Sequence, residues 1–195
     1  MPRRYTLGRR QDQKDTTRDR IVAAAAELFR VQGATRTPIA QVAAAADVAP
    51  GTIRNHFAST DDLAAAVAAE VMAKLRMPAP DIFDGVDGAP ARVAALARAM
   101  AAYYERSQPW YRMAELDDRP LDAWSAARAR YDAEYEALVR AALGPQAADA
   151  VVAVVAAMLE PGVFVALAGR GRSMGGAADI LGQVLAPWLE TTVRR

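Results

Sequence analysis

Apolar residues recur at helical spacing from Ile21 onward. Ile21, Ala25, Leu28 and Phe29 fall at i, i+4, i+7 and i+8, the stripe of an amphipathic helix. The pattern predicts a first helix from about Thr17 to Gln32. Thr16 and Asp19 form a capping-box-like start, and Gly33 follows as its C-cap. Ile39, Val42 and Ala46 predict a second helix, capped by Thr37 with Pro38 in its first turn. After the tight break Asp47-Val48-Ala49, a third helix starts at Pro50, where a missing N–H has no partner to lose. Ile53 and Phe57 are four apart and share its buried face. Ser59, with Asp62 three residues on, opens a fourth helix along Leu63, Val67, Val71 and Leu75.

Turn formers crowd the stretch from Met77 to Pro90 and mark a connector. Residues 91–106 return to helix, with Met100, Tyr103 and Tyr104 on one broad side. Pro109 to Leu116 reads as a short apolar-aromatic helix between prolines. Asp122 to Leu143 reads as a long amphipathic helix. Residues 146–168 are strongly apolar but interrupted at Glu160-Pro161-Gly162, where the proline should kink or split the helix. A loop from Gly169 to Gly176 precedes a last helix over 177–192. With no strand alternation and no internal repeat, the expected fold is all-α. A three-helix, N-terminal helix-turn-helix head (15–62) would follow a basic flexible arm (1–14) and precede a larger helical body (63–195).

Composition narrows the function classes. The chain has 195 residues, 53% of them hydrophobic, and no cysteine, so thiolate chemistry, disulfides and cysteine metal sites are excluded. The lone histidine, His56, lies in the third helix. No metal site and no cofactor are expected. No run of 18 apolar residues occurs, so no membrane span is expected, and the reading is of a cytoplasmic protein. Net charge is +1, unevenly spread: residues 1–57 hold 10 Lys/Arg against 5 Asp/Glu, and the remainder 14 against 18. A basic N-terminal third on an acidic remainder points to a local nucleic-acid surface; chance clustering in an Arg-rich chain is the plainer account.

At about 100° per residue, Gly51, Thr52 and Asn55 point away from the buried face of the third helix, with Arg54 and His56 flanking it. Small and hydrogen-bonding groups outward suit a major groove; the alternative is an ordinary amphipathic helix. Arg3, Arg4, Arg9, Arg10 and Lys14 form a solvated arm that either meets phosphates and a minor groove or simply solubilises the chain. The terminal Leu28-Phe29 of helix one, the glycine after it, the Thr37 cap and the Ala-rich second helix recur at definite spacing. So do Val48-x-x-Gly51-Thr52-Ile53, His56-Phe57 and the Ser59-capped helix reaching Leu63.

On these motifs, residues 18–63 resemble the DNA-binding domain of the tetracycline-repressor (TetR) family of transcriptional regulators. The family often carries Tyr in place of Arg54, Lys in place of Thr60, Gly in place of Asp47 and a polar cap in place of Ala49. The first two departures alter usual phosphate contacts. The expected DNA contacts are Thr37, Gln41, Pro50, Gly51, Thr52, Arg54, Asn55, His56 and Thr60, with Arg9 and Arg10 of the arm.

The resemblance also implies a body that binds ligand and dimerises. The helices 146–160 and 177–192 are apolar beyond one narrow stripe, so they lie deep in a core or against a partner. Val151, Val155, Ile180, Leu181, Val184 and Trp188 are the expected dimer contacts. Met100, Tyr104, Trp110, Tyr111, Met113, Trp124, Tyr131, Tyr135, Met158 and Phe164 concentrate aromatic and Met side chains, which line adaptable cavities but also fill plain cores. The combined expectation is a homodimeric repressor on a near-palindromic double-stranded DNA operator, released by a small apolar or aromatic effector. A ligand-independent architectural DNA-binding protein is the alternative. A helical enzyme is the remote one, given the thin inventory of nucleophiles.

Overall fold

The computed structural model describes residues 6–111, 113 and 116–192, with side chains from Asp15 onward except that of Tyr111. Among these residues the chain forms nine α-helices, one short 3-10 turn at Pro80–Phe83, and no strand. The helices are α1 (Thr6–Gln32), α2 (Ile39–Ala45), α3 (Pro50–His56), α4 (Thr60–Leu75) and α5 (Ala89–Tyr111), then α6 (Asp122–Leu143), α7 (Asp149–Met158), α8 (Pro161–Ala168) and α9 (Met174–Thr192).

Several boundaries differ from the sequence reading. The first helix starts well upstream of Thr17, because neither Pro nor Gly interrupts the chain between Arg9 and Gln32 and Arg, Gln and Lys favour helix. Thr16 and Asp19 therefore sit inside α1, and the stretch read as a flexible arm continues it from Thr6. Arg3 and Arg4, and the side chains of Arg9, Arg10 and Lys14, lie outside the described residues. Pro109 falls within the last turn of α5 rather than opening a separate helix. There it forfeits one intrahelical hydrogen bond. The last helix starts before its apolar stripe, since the Ser173 hydroxyl accepts the Gly176 N–H at 3.0 Å and caps it. Pro161 splits the apolar run as expected: α7 and α8 meet at a bend of 40°. No single helix among the described residues is long and apolar enough to cross a membrane.

The chain groups into two compact units. One is Met1–Lys74 with Pro109–Arg128; the other is Leu75–Gln108 with Ala129–Arg195. This differs from a division at residue 63, because the stretch 109–128 groups with the N-terminal helices. In the first unit α1 packs on α2 and α2 on α3. Ile21, Ala25, Phe29, Val42, Ile53 and Leu63 are buried there, the faces that periodicity assigned to the core. In the second unit α9 packs against α8 and α7. Ala177, Leu181, Leu185 and Leu189 are buried on α9.

Gly33, the residue that ends α1, adopts φ +85°, a left-handed conformation that favours glycine. It is also buried against the 116–117 stretch. A Cβ placed on it would stand 2.8 Å from Asp117 Oδ1 and 2.9 Å from the Leu116 carbonyl oxygen. Gly33→Ala should cost about 2–5 kcal/mol, the sum of roughly 1–2 for the left-handed backbone and roughly 1–3 for overpacking. Urea unfolding of the full chain measures this; an unchanged midpoint would contradict the close approach.

Candidate nucleic-acid interface and the helical body

The α2–α3 turn is built by backbone bonding. Val48 N–H reaches the Ala43 carbonyl at 3.0 Å and Asp47 N–H the Ala44 carbonyl at 3.2 Å. With Asp47 at φ +52°, this is the Schellman pattern, in which glycine is the usual left-handed residue. Asp is among the few side chains that tolerate the position. The Arg20 guanidinium, from α1, donates to the carbonyls of Ala46 and Asp47 and so satisfies acceptors left free at the end of α2. Its ion pair with the Asp47 carboxylate, at 3.6 Å between exposed groups, adds little.

Pro50 stands in the first turn of α3, as its sequence predicts. Ile53 and Phe57 turn inward and are buried, and the Arg18 guanidinium lies 5.3 Å from the centre of the Phe57 ring. Pro50, Gly51, Arg54 and Asn55 are exposed, while Thr52 and His56 are half-buried. Nothing lies within 4 Å of the position a Gly51 Cβ would take, so the start of α3 offers an open surface for close approach. At the start of α4 the Ser59 hydroxyl accepts the Asp62 N–H at 3.0 Å, leaving Thr60 half-buried beside it.

One expected contact is placed otherwise, and another is engaged within the chain. Thr37 is buried, and its hydroxyl donates to the Gly33 carbonyl at 2.6 Å. It neither caps α2, whose N-cap is Pro38, nor reaches the surface. A hydroxyl can serve a cap or a nearby carbonyl, and the left-handed turn at Gly33 brings the carbonyl within reach. Gln41 is exposed, but its amide oxygen accepts from Gln32 Nε2 at 2.7 Å. Sequence reasoning missed Arg20 and Arg18, whose roles depend on packing of α1 against later helices.

Residues 21–67 match the family model described as bacterial regulatory proteins, tetR family. Over 94% of its length the chain also superposes on a crystal structure of the multidrug binding protein EbrR complexed with imidazole, with a TM-score of 0.59, 25% identity and 93% of that chain covered. Residues 21–67 thus carry the tetR-family pattern. A further similarity is to the HTH-type transcriptional regulator TcmR of Streptomyces glaucescens, 42% identical over 57 residues, which are 29% of this chain. The aligned stretch spans a quarter (25%) of that curated relative. Among the described residues the chain has the all-α fold and N-terminal helix-turn-helix that its sequence predicts.

The expected aromatic and Met residues divide between the two units. Trp110, Met113 and Trp124 belong to the first, where the Trp124 indole N–H donates to Asp117 Oδ2 at 2.6 Å. Tyr111 also belongs to the first, but its side chain lies outside the described residues. Met100, Tyr104, Tyr131, Tyr135, Met158 and Phe164 belong to the second. There Tyr131 stacks on Tyr135 at 5.7 Å between ring centres, and Tyr104 meets Phe164 edge-on at 5.3 Å. Tyr103, not expected at the site, stacks on Tyr131 at 6.2 Å.

The hydroxyls of this cluster serve the split between α7 and α8. Pro161 has no N–H to continue the helix, so carbonyls near the break need outside donors. Tyr104 donates to the Leu159 carbonyl at 2.9 Å and Tyr135 to the Ala156 carbonyl at 2.7 Å. Because the Tyr104 proton is committed, Tyr131 is the donor in the 3.0 Å contact between their hydroxyls. Tyr135 also lines a surface cleft of about 450 Å³ with Val152 and Ala156. Its rim carries Asp132, Glu136, Asp149, Glu160 and Arg140. Arg140 bonds Asp149 and Glu136, which hold its guanidinium pKa above the ordinary value.

Three of the expected dimer contacts are closed inside the protomer: Val151, Val155 and Leu181 are buried. Apolar breadth alone does not tell the core face of a helix from its outer face. Ile180 and Trp188 are half-buried, and Val184 is exposed. Val154 and Val165, not singled out from sequence, are exposed too.

Tyr104→Phe should keep the ring packing but leave the buried Leu159 carbonyl without its donor, a cost of about 1–3 kcal/mol. Tyr135→Phe should cost less, because Ala156 O also accepts the Leu159 N–H at 3.2 Å. Denaturant titration of both variants tests the order; equal losses would mean that the two hydroxyls are not bracing the break as described.

Proposed function

We propose that the chain is a homodimeric transcriptional repressor whose two heads bind adjacent major grooves of a near-palindromic operator. A small apolar or aromatic effector bound in the body releases it. The observation that carries this reading is the outward face of α3: Pro50, Gly51, Arg54 and Asn55 exposed on a helix anchored by buried Ile53 and Phe57. Small residues allow the helix into the groove, and Asn and Arg match adenine and guanine edges. The tetR-family match and the likeness to EbrR, a multidrug binding protein, support regulation by a small molecule. An effector shifts the equilibrium by binding one head spacing better than another. The reading places the protein in the cytoplasm and gives it no enzymatic step.

Selection of bound DNA from a random pool tests the reading directly: a repressor of this type enriches a symmetric site with half-sites about one helical turn apart. Asn55→Ala should then weaken binding to the enriched site by roughly 1–3 kcal/mol per half-site and relax base preference there. Replacing Arg9 and Arg10 by Ala should weaken operator and random DNA alike, and flatten the slope of log K on log salt by about 0.9 per lost phosphate contact. Titrations on both DNAs at several salt concentrations separate the two roles. A loss of base preference from the arginine pair alone would reverse them.

The proposed dimer face runs along Ile180, Val184 and Trp188, four apart on one side of α9, with exposed Val154 and Val165. Val184→Glu places a charge there without entering the protomer core. Sedimentation should show folded monomers, and an unaltered dimer would locate the seam elsewhere.

A further inference from the structure

We propose that Asp117 is a positioning residue for DNA reading: it fixes the α1–α2 turn and with it the pose of the α2–α3 pair. This rests on the DNA-binding reading above. Asp117 lies outside the segment matched by the family model, yet its carboxylate is the hub of that turn. Oδ1 accepts the Thr35 N–H at 2.7 Å and the Thr35 hydroxyl at 3.0 Å. Oδ2 accepts the Trp124 indole N–H at 2.6 Å. The Thr35 hydroxyl accepts in return from the Asp118 N–H at 3.0 Å. Each bond to Asp117 has the protein donating, so the carboxylate serves as an acceptor at both oxygens.

Independent features of the same stretch agree. Buried Gly33 lets Asp117 approach where any Cβ would stand 2.8 Å from its oxygen. Arg36, next in the turn, is paired with Asp118. That hydrogen bond holds the Asp118 carboxyl below the usual carboxylate range and raises Arg36. At the far end of the head the Asp61 carboxylate accepts the Ala123 N–H at 3.2 Å. The 117–124 stretch thus holds both the α1–α2 turn and the first turn of α4. The α2–α3 turn is in turn tied to α1 through Arg20. A side chain that fixes where α2 leaves α1 therefore also fixes where α3 points.

Asp117→Asn keeps the volume but supplies an amide N–H₂ where a donor already points, so one bond must fail. Thr35→Val removes the hydroxyl from the other side. The test uses the full-length dimer, the operator enriched by selection, and operators with half-site spacing changed by one or two base pairs. In the wild type the preferred spacing should win clearly. In Asp117→Asn and Thr35→Val, affinity for the preferred spacing should fall about tenfold, by roughly the worth of one charge-assisted hydrogen bond. The ratio between preferred and altered spacing should shrink toward one, with the salt slope unchanged. Hydrogen exchange should show the Thr35 amide protected in the wild type and fast in Asp117→Ala, which removes both acceptor oxygens. A general loss of stability would instead lower binding to all spacings by one factor and leave the ratio alone, which would overturn the positioning role. So would a Thr35 amide that stays protected in Asp117→Ala. If the wild type enriches no DNA at all, the repressor reading itself fails. If it enriches an operator and spacing preference survives both variants, only the role given to Asp117 fails.

Discussion

A helix leaves carbonyls and N–H groups unpaired at its two ends, and burying them without partners is costly. In an all-helical chain with many short elements, that constraint recurs at each boundary, and it organises this protein. Arg20 serves the end of α2, Thr37 the end of α1, Ser59 and Ser173 the starts of α4 and α9. Tyr104 and Tyr135 serve the gap that Pro161 opens between α7 and α8. Three of these side chains, Arg20, Tyr104 and Tyr135, also tie one helix to another. Apolar burial drives the helices together, but it is non-directional. The hydrogen-bonded ends supply the direction.

The same division explains what could be read from the sequence. Burial of Ile21, Phe29, Val42, Ile53, Phe57 and Leu63 follows from period alone, and Pro50 marks the start of α3 by its chemistry. The helix-turn-helix was legible because its information is local. The role of Asp117 was not legible: its partner Thr35 lies 82 residues away, and no periodicity links them. Thr37 was misread for a related reason. A hydroxyl before a proline fits a cap by local rule, but the left-handed turn at Gly33 offers a carbonyl that local rules do not see. On α9 the pattern gave a broad apolar surface without saying which side the protomer keeps. Leu181 went inward and Val184 outward, although both are aliphatic and three residues apart.

Where Asp47 and Arg54 depart from the tetR-family pattern that the N-terminal segment resembles, the changes fall on surface chemistry rather than on framework. Asp47 takes the left-handed place that glycine often holds, and the backbone pattern of the turn forms regardless. Arg54 is exposed, so exchanging a phenol for a guanidinium there changes what the surface offers without disturbing Ile53 or Phe57 beneath. The framework tolerates such exchanges because its anchors are all on the opposite face of α3.

The grouping of residues 109–128 with the N-terminal helices bears on modularity. A fragment ended after α4 would contain the whole family-matched segment, yet Gly33 would face solvent and the Thr35 amide would lose the carboxylate that holds it. Exchanging heads between related proteins at that boundary would likewise set a turn from one parent against a loop from another. The compact N-terminal unit of this chain is therefore discontinuous: it includes a loop encoded far downstream, and a transplant that respects the fold must carry both pieces.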